Sequence, residues 1–186
     1  MATKTALIIA SDGSEDIELV TTSDVLRRAG VDVTIAGIQD KPEIELTCKT
    51  HLHVDQLFKD VLDKKYDAVV MPGGSPGSNK LAEDPRVGDV LRKHQEANAV
   101  VGAICGSPLA LVAHDVARGA TLTSHPSIKD KIAGDGYSYT DDNVCVFNNV
   151  VTSRGPGTAF EFALKLVEML VSEEKAKEIS NSLLVH

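Results

Sequence analysis

Apolar runs alternate with amphipathic stretches along the whole chain. Short runs rich in β-branched residues predict strands at 6–10, 32–36, 66–71 and 99–104, with strand-like pieces at 121–123 and 143–152. Apolar residues at helical spacing predict helices at about 15–28, 81–95, 108–116, 157–171 and 173–180. Residues 41–55 predict a short, partly exposed strand pair that includes Cys48. Continuous apolar strands that alternate with helices indicate an α/β fold with a mostly parallel sheet and helices on both faces.

Length and composition narrow the class of protein. The 186 residues are about one domain long and contain no repeat or linker, so we predict a single domain over residues 1–186. A net charge of −8 argues against a nucleic-acid partner, and the lack of a Lys/Arg run argues against an anionic membrane partner. The apolar run at 5–10 is too short for a signal peptide or a membrane span.

Cysteine usage indicates the compartment. Cys48, Cys105 and Cys145 are widely spaced and form no CxxC pair, which is typical of reduced thiols rather than of a disulfide scaffold. We therefore expect a cytoplasmic protein, with a nuclear or mitochondrial location left open.

Cys105 is the first candidate for chemistry, because it directly follows a predicted buried strand and precedes Gly106 and a helix. Ligands of open parallel sheets bind beyond the carboxyl ends of the strands. The start of the helix is expected to lower the pKa of the thiol. The N–H groups of Gly106 and of Gly74, which follows a neighbouring strand, are placed to form an oxyanion hole. A buried structural cysteine is the alternative, and position alone does not decide between the two.

Glu18 is the second candidate, on the first predicted helix and on the same face as Thr22, Val25 and Ala29. A carboxyl group on such an apolar-leaning face is expected to be partly desolvated, which raises its pKa and lets it donate a hydrogen bond. Beside a thiolate it would act as a proton shuttle. Spacing alone favours the simpler interpretation, a solvated helix acid.

His125 follows a strand-like piece and, with Cys105, would form a nucleophile and its base. A structural role is nevertheless the default for any single histidine here. His51 and His53 alternate along a possible strand, but no third ligand at a convincing spacing supports a metal site. Neither GxGxxG nor GxxxxGK[ST] is present, so we expect no metal and no cofactor. Arg154 is expected to pair internally rather than to bind a substrate carboxylate.

A series of short motifs extends over nearly the whole chain, at 6–9, 13–18, 24–30, 72–74, 103–105, 123–126, 152–158 and 160–163. In this order they resemble the DJ-1/PfpI superfamily, and its DJ-1 branch in particular. The resemblance implies a flavodoxin-like three-layer sandwich and a homodimer. It also implies that Cys105 is the nucleophile, that Glu18 is its acidic partner with His125 nearby, and that Gly74 and Gly106 supply the oxyanion-hole amides.

The chain departs from that pattern at three positions. Relatives in this branch more often have Ala-Gly-Pro or Ala-Ala-Pro after the cysteine, where this chain has Gly106 and Ser107 before the proline. We expect the added hydroxyl of Ser107 to alter the pocket or the helix cap. Position 48 is Cys where several relatives have Arg near the dimer interface, so that contact is in doubt. Gly106 also stands where the protease-like branch has a histidine, which argues against a protease triad.

Two functions from different classes follow from the resemblance. The first is a cofactor-independent, glutathione-independent glyoxalase, which converts the 2-oxoaldehydes methylglyoxal and glyoxal to lactate and glycolate through a hemithioacetal on Cys105. Repair of glycated proteins needs the same thiol. The second is a redox sensor or redox-dependent chaperone, in which Cys105 oxidises to a sulfinic acid and Glu18 hydrogen-bonds the oxidised group. An amidotransferase-like hydrolase is weaker, because no Cys–His–Glu spacing supports it.

Overall fold

The computed structural model describes residues 2–134 and 136–185. Its strands are β1 (Thr5–Ala10), β2 (Asp32–Gly37), β3 (Glu43–Glu45), β4 (His51–His53), β5 (Gln56–Leu57), β6 (Ala68–Met71), β7 (Val100–Ile104), β8 (Thr121–Leu122), β9 (Ser138–Tyr139), β10 (Val144–Phe147) and β11 (Val150–Ser153). Its α-helices are α1 (Asp16–Arg28), α2 (Ser75–Glu83), α3 (Pro85–Glu96), α4 (Pro108–Ala113), α5 (Lys129–Ile132), α6 (Ala159–Leu170) and α7 (Glu173–Leu183).

The central sheet has the strand order β10-β11-β7-β6-β1-β2-β5. Every neighbouring pair in it is parallel except β10 and β11, which form an antiparallel hairpin at one edge. Counted in chain order, the five central strands β2, β1, β6, β7 and β11 have the order 2-1-3-4-5 that is typical of flavodoxin-like sheets. The predicted α/β fold with a mostly parallel sheet is confirmed.

Helices cover both faces of this sheet, and β1 shows why the sequence requires it. Ala6 and Ile8 of β1 belong to a core shared with α1, α6 and α7. Leu7 and Ile9 belong to the opposite core, shared with α2, α3 and α4. Successive strand residues point to opposite faces, so a strand buried on both sides needs an uninterrupted apolar run.

Three local predictions need correction. The helix predicted at 81–95 is two helices, because Pro85 lacks the N–H that would continue α2, and Asp84 instead caps α3 by accepting from the Arg86 N–H at 3.0 Å. The strand-like piece at 143–152 is the β10–β11 hairpin, with Asn148 at φ 52° in its turn. Cys48 lies in the turn between β3 and β4 rather than on a strand.

No helix within residues 2–134 and 136–185 is long and apolar enough to cross a membrane.

The order of the strands reverses between β1 and β6. The chain continues from β1 to β2 on one side of this pair and from β6 to β7 on the other. The crevice at such a switch point is where ligands bind in this fold class. The segments that follow β1, β6 and β7 contain Glu18, Gly74 and Cys105.

Candidate active site

Cys105 lies on a sharp turn between β7 and the short helix α4. Its φ of 66° is in the left-handed region, which a residue with a side chain adopts at a cost in free energy. Two backbone hydrogen bonds hold the turn: the Cys105 N–H donates to Ser153 O at 2.9 Å, and the His125 N–H donates to Cys105 O at 2.8 Å. The end of β11 and the segment after β8 therefore hold the turn that directs the thiol.

Glu18 lies on the first turns of α1, and none of its side chain is exposed. The predicted helix face is confirmed, since Thr22, Val25 and Ala29 are buried with it. The Gly73 N–H donates to Glu18 Oε2 at 2.7 Å. The other carboxyl oxygen, Oε1, is buried and has no hydrogen-bond partner among the residues that the structure describes. One oxygen of this acid is thus anchored, and the other is available to carry a proton.

Burial raises the pKa of Glu18 to about 7, against a usual value of 4.5. The Gly73 N–H opposes this shift, the charge of Glu15 adds to it, and the neighbouring Cys105 thiol opposes it. A carboxyl group with this pKa exists in both protonation states near neutral pH, as a residue that gives and takes protons must.

The thiol of Cys105 does not have the pKa that we predicted from the start of the helix. Burial and, second, the charge of Glu18 raise the pKa of Cys105 to about 12, while the N–H groups of Gly74 and Gly106 lower it. The dipole argument failed because burial and the charge of Glu18 outweigh the N–H groups around the start of the helix. Since the charge of Glu18 is the second cause, protonation of that carboxyl group removes it. The thiol and the acid therefore ionise as a coupled pair.

Two glycines predicted to form an oxyanion hole both direct their N–H groups to the sulfur of Cys105. Gly74 has φ 91°, which only glycine adopts without strain. A methyl group on Gly106 would lie 2.6 Å from Ser78 Oγ, a contact that requires one of the two to move. Ser78 thus occupies the space that a side chain at position 106 would need.

A cleft of about 320 Å³ opens over the thiol, with Glu15, Gly74, Ser78 and His125 among the residues that line it. The ring of His125 is exposed, and its Nδ1 lies 2.7 Å from Ser127 Oγ. Within the described chain the ring has no hydrogen bond to Cys105 or Glu18. The structure thus brings Cys105, Glu18, Gly74 and Gly106 together, and His125 lines the same cleft at its rim without a hydrogen bond to the thiol.

Gly73 is a residue of the site whose role our sequence reasoning missed. It holds Glu18 through its N–H, and a methyl group on it would lie 2.5 Å from Cys105 Cβ and 2.6 Å from Glu18 Oε2. The available signal was the glycine pair directly after a buried strand, but the sequence does not reveal which amide points where.

Other predicted ligands lie away from the cleft. His51 pairs with Glu43 at 3.0 Å across the β3–β4 hairpin, and neither it nor His53 belongs to a group of three possible metal ligands among the described residues. The one such group in that part of the chain comprises Glu15, Asp16 and Cys48, whose potential ligand atoms lie within 4.8 Å of one another. Arg154 pairs internally, as expected, since it donates to Asp141 O at 3.1 Å.

Comparison with known proteins shows the family to which this chain belongs. A model of the DJ-1/PfpI family matches residues 4–169. The Parkinson disease protein 7 homolog of Danio rerio is 42% identical over 187 residues, which cover 100% of this chain and 99% of that protein. The glutathione-independent glyoxalase DJR-1.2 of Caenorhabditis elegans is 43% identical over 179 residues, 96% of this chain and 95% of that protein.

Among solved structures, Drosophila melanogaster DJ-1beta matches with a TM-score of 0.96 and 42% identity, over 100% of both chains. Fold, motifs and full-length similarity thus agree, and the chain belongs to the DJ-1/PfpI family.

Proposed function

We propose that this protein is a glutathione-independent glyoxalase, which converts small 2-oxoaldehydes such as methylglyoxal and glyoxal to lactate and glycolate. The observation that carries the proposal is the buried Glu18, with one oxygen bound by the Gly73 N–H, the other unpartnered, and the Cys105 thiol beside it. The similarity to the C. elegans glutathione-independent glyoxalase supports the same reaction class.

The first step is attack of Cys105 on the aldehyde carbon of the substrate, after the Glu18 carboxylate has taken the proton of the thiol. A C–S bond forms, and the electron pair of the C=O bond moves to oxygen. The N–H groups of Gly74 and Gly106, which already face the sulfur, are the donors for this developing negative charge. The alkoxide takes the proton of Glu18, which leaves a neutral hemithioacetal and a Glu18 carboxylate.

The second step moves a proton between the two substrate carbons. The Glu18 carboxylate removes the proton from the sulfur-bearing carbon, which gives an enediolate, and then returns that proton to the neighbouring carbon. The hydroxyl proton of the first carbon passes to the oxygen of the second, which completes the thioester of a 2-hydroxy acid. The pKa of Glu18, about 7, suits a group that acts as base and acid in turn. Water then hydrolyses the thioester, releasing the 2-hydroxy acid and the thiol.

The test is lactate formation from methylglyoxal, without glutathione, by the wild type, Cys105→Ala and Cys145→Ala. Cys145 is a suitable control because it is also a partly buried free thiol with a raised pKa, and its Sγ lies 3.2 Å from Thr121 O. We expect turnover in the wild type and in Cys145→Ala, and none in Cys105→Ala. A folded, reduced wild type without turnover would refute the proposal.

A cysteine-oxidation sensor is the second candidate function, and it is supported by the same unpartnered Oε1 of Glu18. A protonated Oε1 is a hydrogen-bond donor for an oxygen added to the sulfur of Cys105. If the wild type makes no lactate, but peroxide adds two oxygens to Cys105 and Glu18→Gln lowers the yield, the sensor replaces the enzyme as the preferred function.

We also propose that the protein acts as a homodimer. Support comes from the outer face of α1, where Ile17 is 52% and Val20 47% exposed, an unusual place for two branched apolar side chains. Sedimentation equilibrium tests this: the wild type should have twice the mass of the chain, and Val20→Glu should reduce it.

A further inference from the structure

We propose that Ser107 is a positioning residue, whose buried hydroxyl ties together the two strand ends that carry the oxyanion-hole amides and the thiol. None of the Ser107 side chain is exposed. A polar group buried so completely costs free energy unless its hydrogen bonds are made.

The hydroxyl lies between the carboxyl ends of β6 and β7. It accepts from the Ile104 N–H at 2.9 Å and lies 2.7 Å from the Met71 carbonyl oxygen, to which it donates. The Ile104 carbonyl oxygen is a second acceptor within reach, at 2.9 Å. Met71 is the last residue of β6 and pairs with Ala103 of β7, so one side chain links both strands where they end.

These two attachment points directly precede the reacting groups. Ile104 is followed by Cys105 and Gly106, and Met71 is followed after one residue by Gly73 and Gly74. A shift of either strand end would move a Gly74 or Gly106 amide relative to the sulfur, and a shift of Gly73 would move the anchored oxygen of Glu18. Small displacements of such donors have large effects, because their contribution depends on preorganised geometry.

The expected effect of Ser107 on turnover rests on the proposed function. Its expected effect on the pKa of the Cys105 thiol does not. The Gly74 and Gly106 amides favour the thiolate whatever reaction follows. Glu18, Glu15 and His125 are the titratable groups that face the thiol and its cleft, and a substitution at position 107 leaves all three in place.

The experiment compares the wild type with Ser107→Ala and Ser107→Thr, each with Cys48 and Cys145 replaced by serine. The rate of Cys105 alkylation by iodoacetamide is measured against pH. We expect the midpoint for Ser107→Ala to rise by about one pH unit, measured as an alkylation rate about tenfold lower at each pH below the midpoint, because the amides no longer meet the sulfur as well. In the same variant kcat for methylglyoxal should fall about tenfold, and Ser107→Thr, which keeps the hydroxyl, should restore much of both.

Ser23→Ala is the matched control. It removes another buried serine hydroxyl, one that donates to Val20 O at 3.0 Å within α1, and should not move the alkylation midpoint. If Ser107→Ala does not fold, Ser107→Gly takes its place, and the ¹⁵N–H shifts of Gly74 and Gly106 report the amides directly.

The positioning role is overturned if Ser107→Ala or Ser107→Gly loses stability but keeps the wild-type alkylation midpoint and amide shifts. That result would make the hydroxyl a structural bridge only. Absence of lactate from every variant, together with a shifted alkylation midpoint, would refute the glyoxalase but leave the role of Ser107 supported.

Discussion

Glu18 and His94 are both buried titratable side chains, and they lie at opposite ends of the central sheet. His94 is 5% exposed near the amino ends of β6 and β7, where its Nε2 accepts from the Tyr66 N–H at 3.2 Å and its Nδ1 donates to Val90 O at 2.7 Å. Burial lowers the pKa of His94, so the ring is neutral at pH 7 with both nitrogens occupied. Glu18 is more deeply buried, yet only one of its two oxygens has a partner.

This difference in hydrogen bonding distinguishes a buried ionisable group that stabilises the fold from one that takes part in chemistry. A group whose hydrogen bonds are all made is fixed in one protonation state, and its removal costs stability. A group with a free oxygen, a pKa of about 7 and a thiol beside it can exchange protons without breaking the fold. Burial alone does not distinguish the two; the satisfaction of each polar atom does.

Gly73→Ala is expected to lower activity strongly, because Gly73 is the residue whose N–H holds Glu18 in place. The added methyl group would overlap both Cys105 Cβ and Glu18 Oε2, so the acid and the nucleophile are displaced together. We expect kcat/KM for methylglyoxal to fall on the order of 10³-fold. Gly157→Ala is the matched control, since nothing lies within 4 Å of a Cβ there, and it should keep wild-type turnover. Equal activity of the two variants would contradict the anchoring role.

The next effect is on stability as a function of pH. The folded-state pKa of Glu18, about 7, lies above its usual value of 4.5, so the folded state binds the proton more tightly than the unfolded chain. The stability from this group is complete below pH 4.5 and is lost as the pH rises through 7. Relative to Glu18→Gln, the wild type should lose about 3 kcal/mol of unfolding free energy across this window. Urea unfolding of both proteins at pH 4.5 and 8 measures it, and parallel pH profiles would contradict the burial of an ionising acid.

The smallest effect is expected at His94, and it has the opposite sign in pH. Because the pKa of His94 is lowered, the unfolded chain takes up the proton first as the pH falls below 6.5, so stability from this residue is lost on acidification. His94→Ala should cost about 2 kcal/mol at pH 7, since it leaves the Tyr66 N–H without its partner. Turnover per folded molecule should not change. The exposed His51→Ala is the control, and a loss of turnover in His94→Ala alone would show that the two ends of the sheet are not independent.

The sequence predicted the fold well, because the apolar runs of β1, β6 and β7 are uninterrupted and therefore specify strands buried on both faces. Helical spacing placed Glu18 on an apolar-leaning face, but spacing alone favoured a solvated helix acid, and the complete burial of Glu18 corrects that interpretation. The sequence prediction missed the start of α2, because Ser75 and Pro76 follow two glycines and are typical of a loop.

Other properties of the site depend on contacts between distant segments, which spacing does not encode. The pKa of Cys105 is set largely by burial and by a charge on α1, not by the helix that follows it. The ring of His125 is held at the rim by Ser127, two residues along the chain, although its backbone is tied to the Cys105 turn. The error in the pKa of Cys105 came from treating a local motif as the whole environment.

The central claim is that Cys105 forms the covalent bond while the free oxygen of Glu18 moves the proton, and Glu18→Gln tests this most directly. Glutamine keeps the shape and still offers an oxygen to the Gly73 N–H, but it has no acidic proton to transfer. We predict that lactate formation from methylglyoxal falls by about 10²–10⁴-fold, while iodoacetamide still alkylates one Cys105 per chain. Lactate formation within a few-fold of the wild type would contradict the account, because the proton would then move without Glu18.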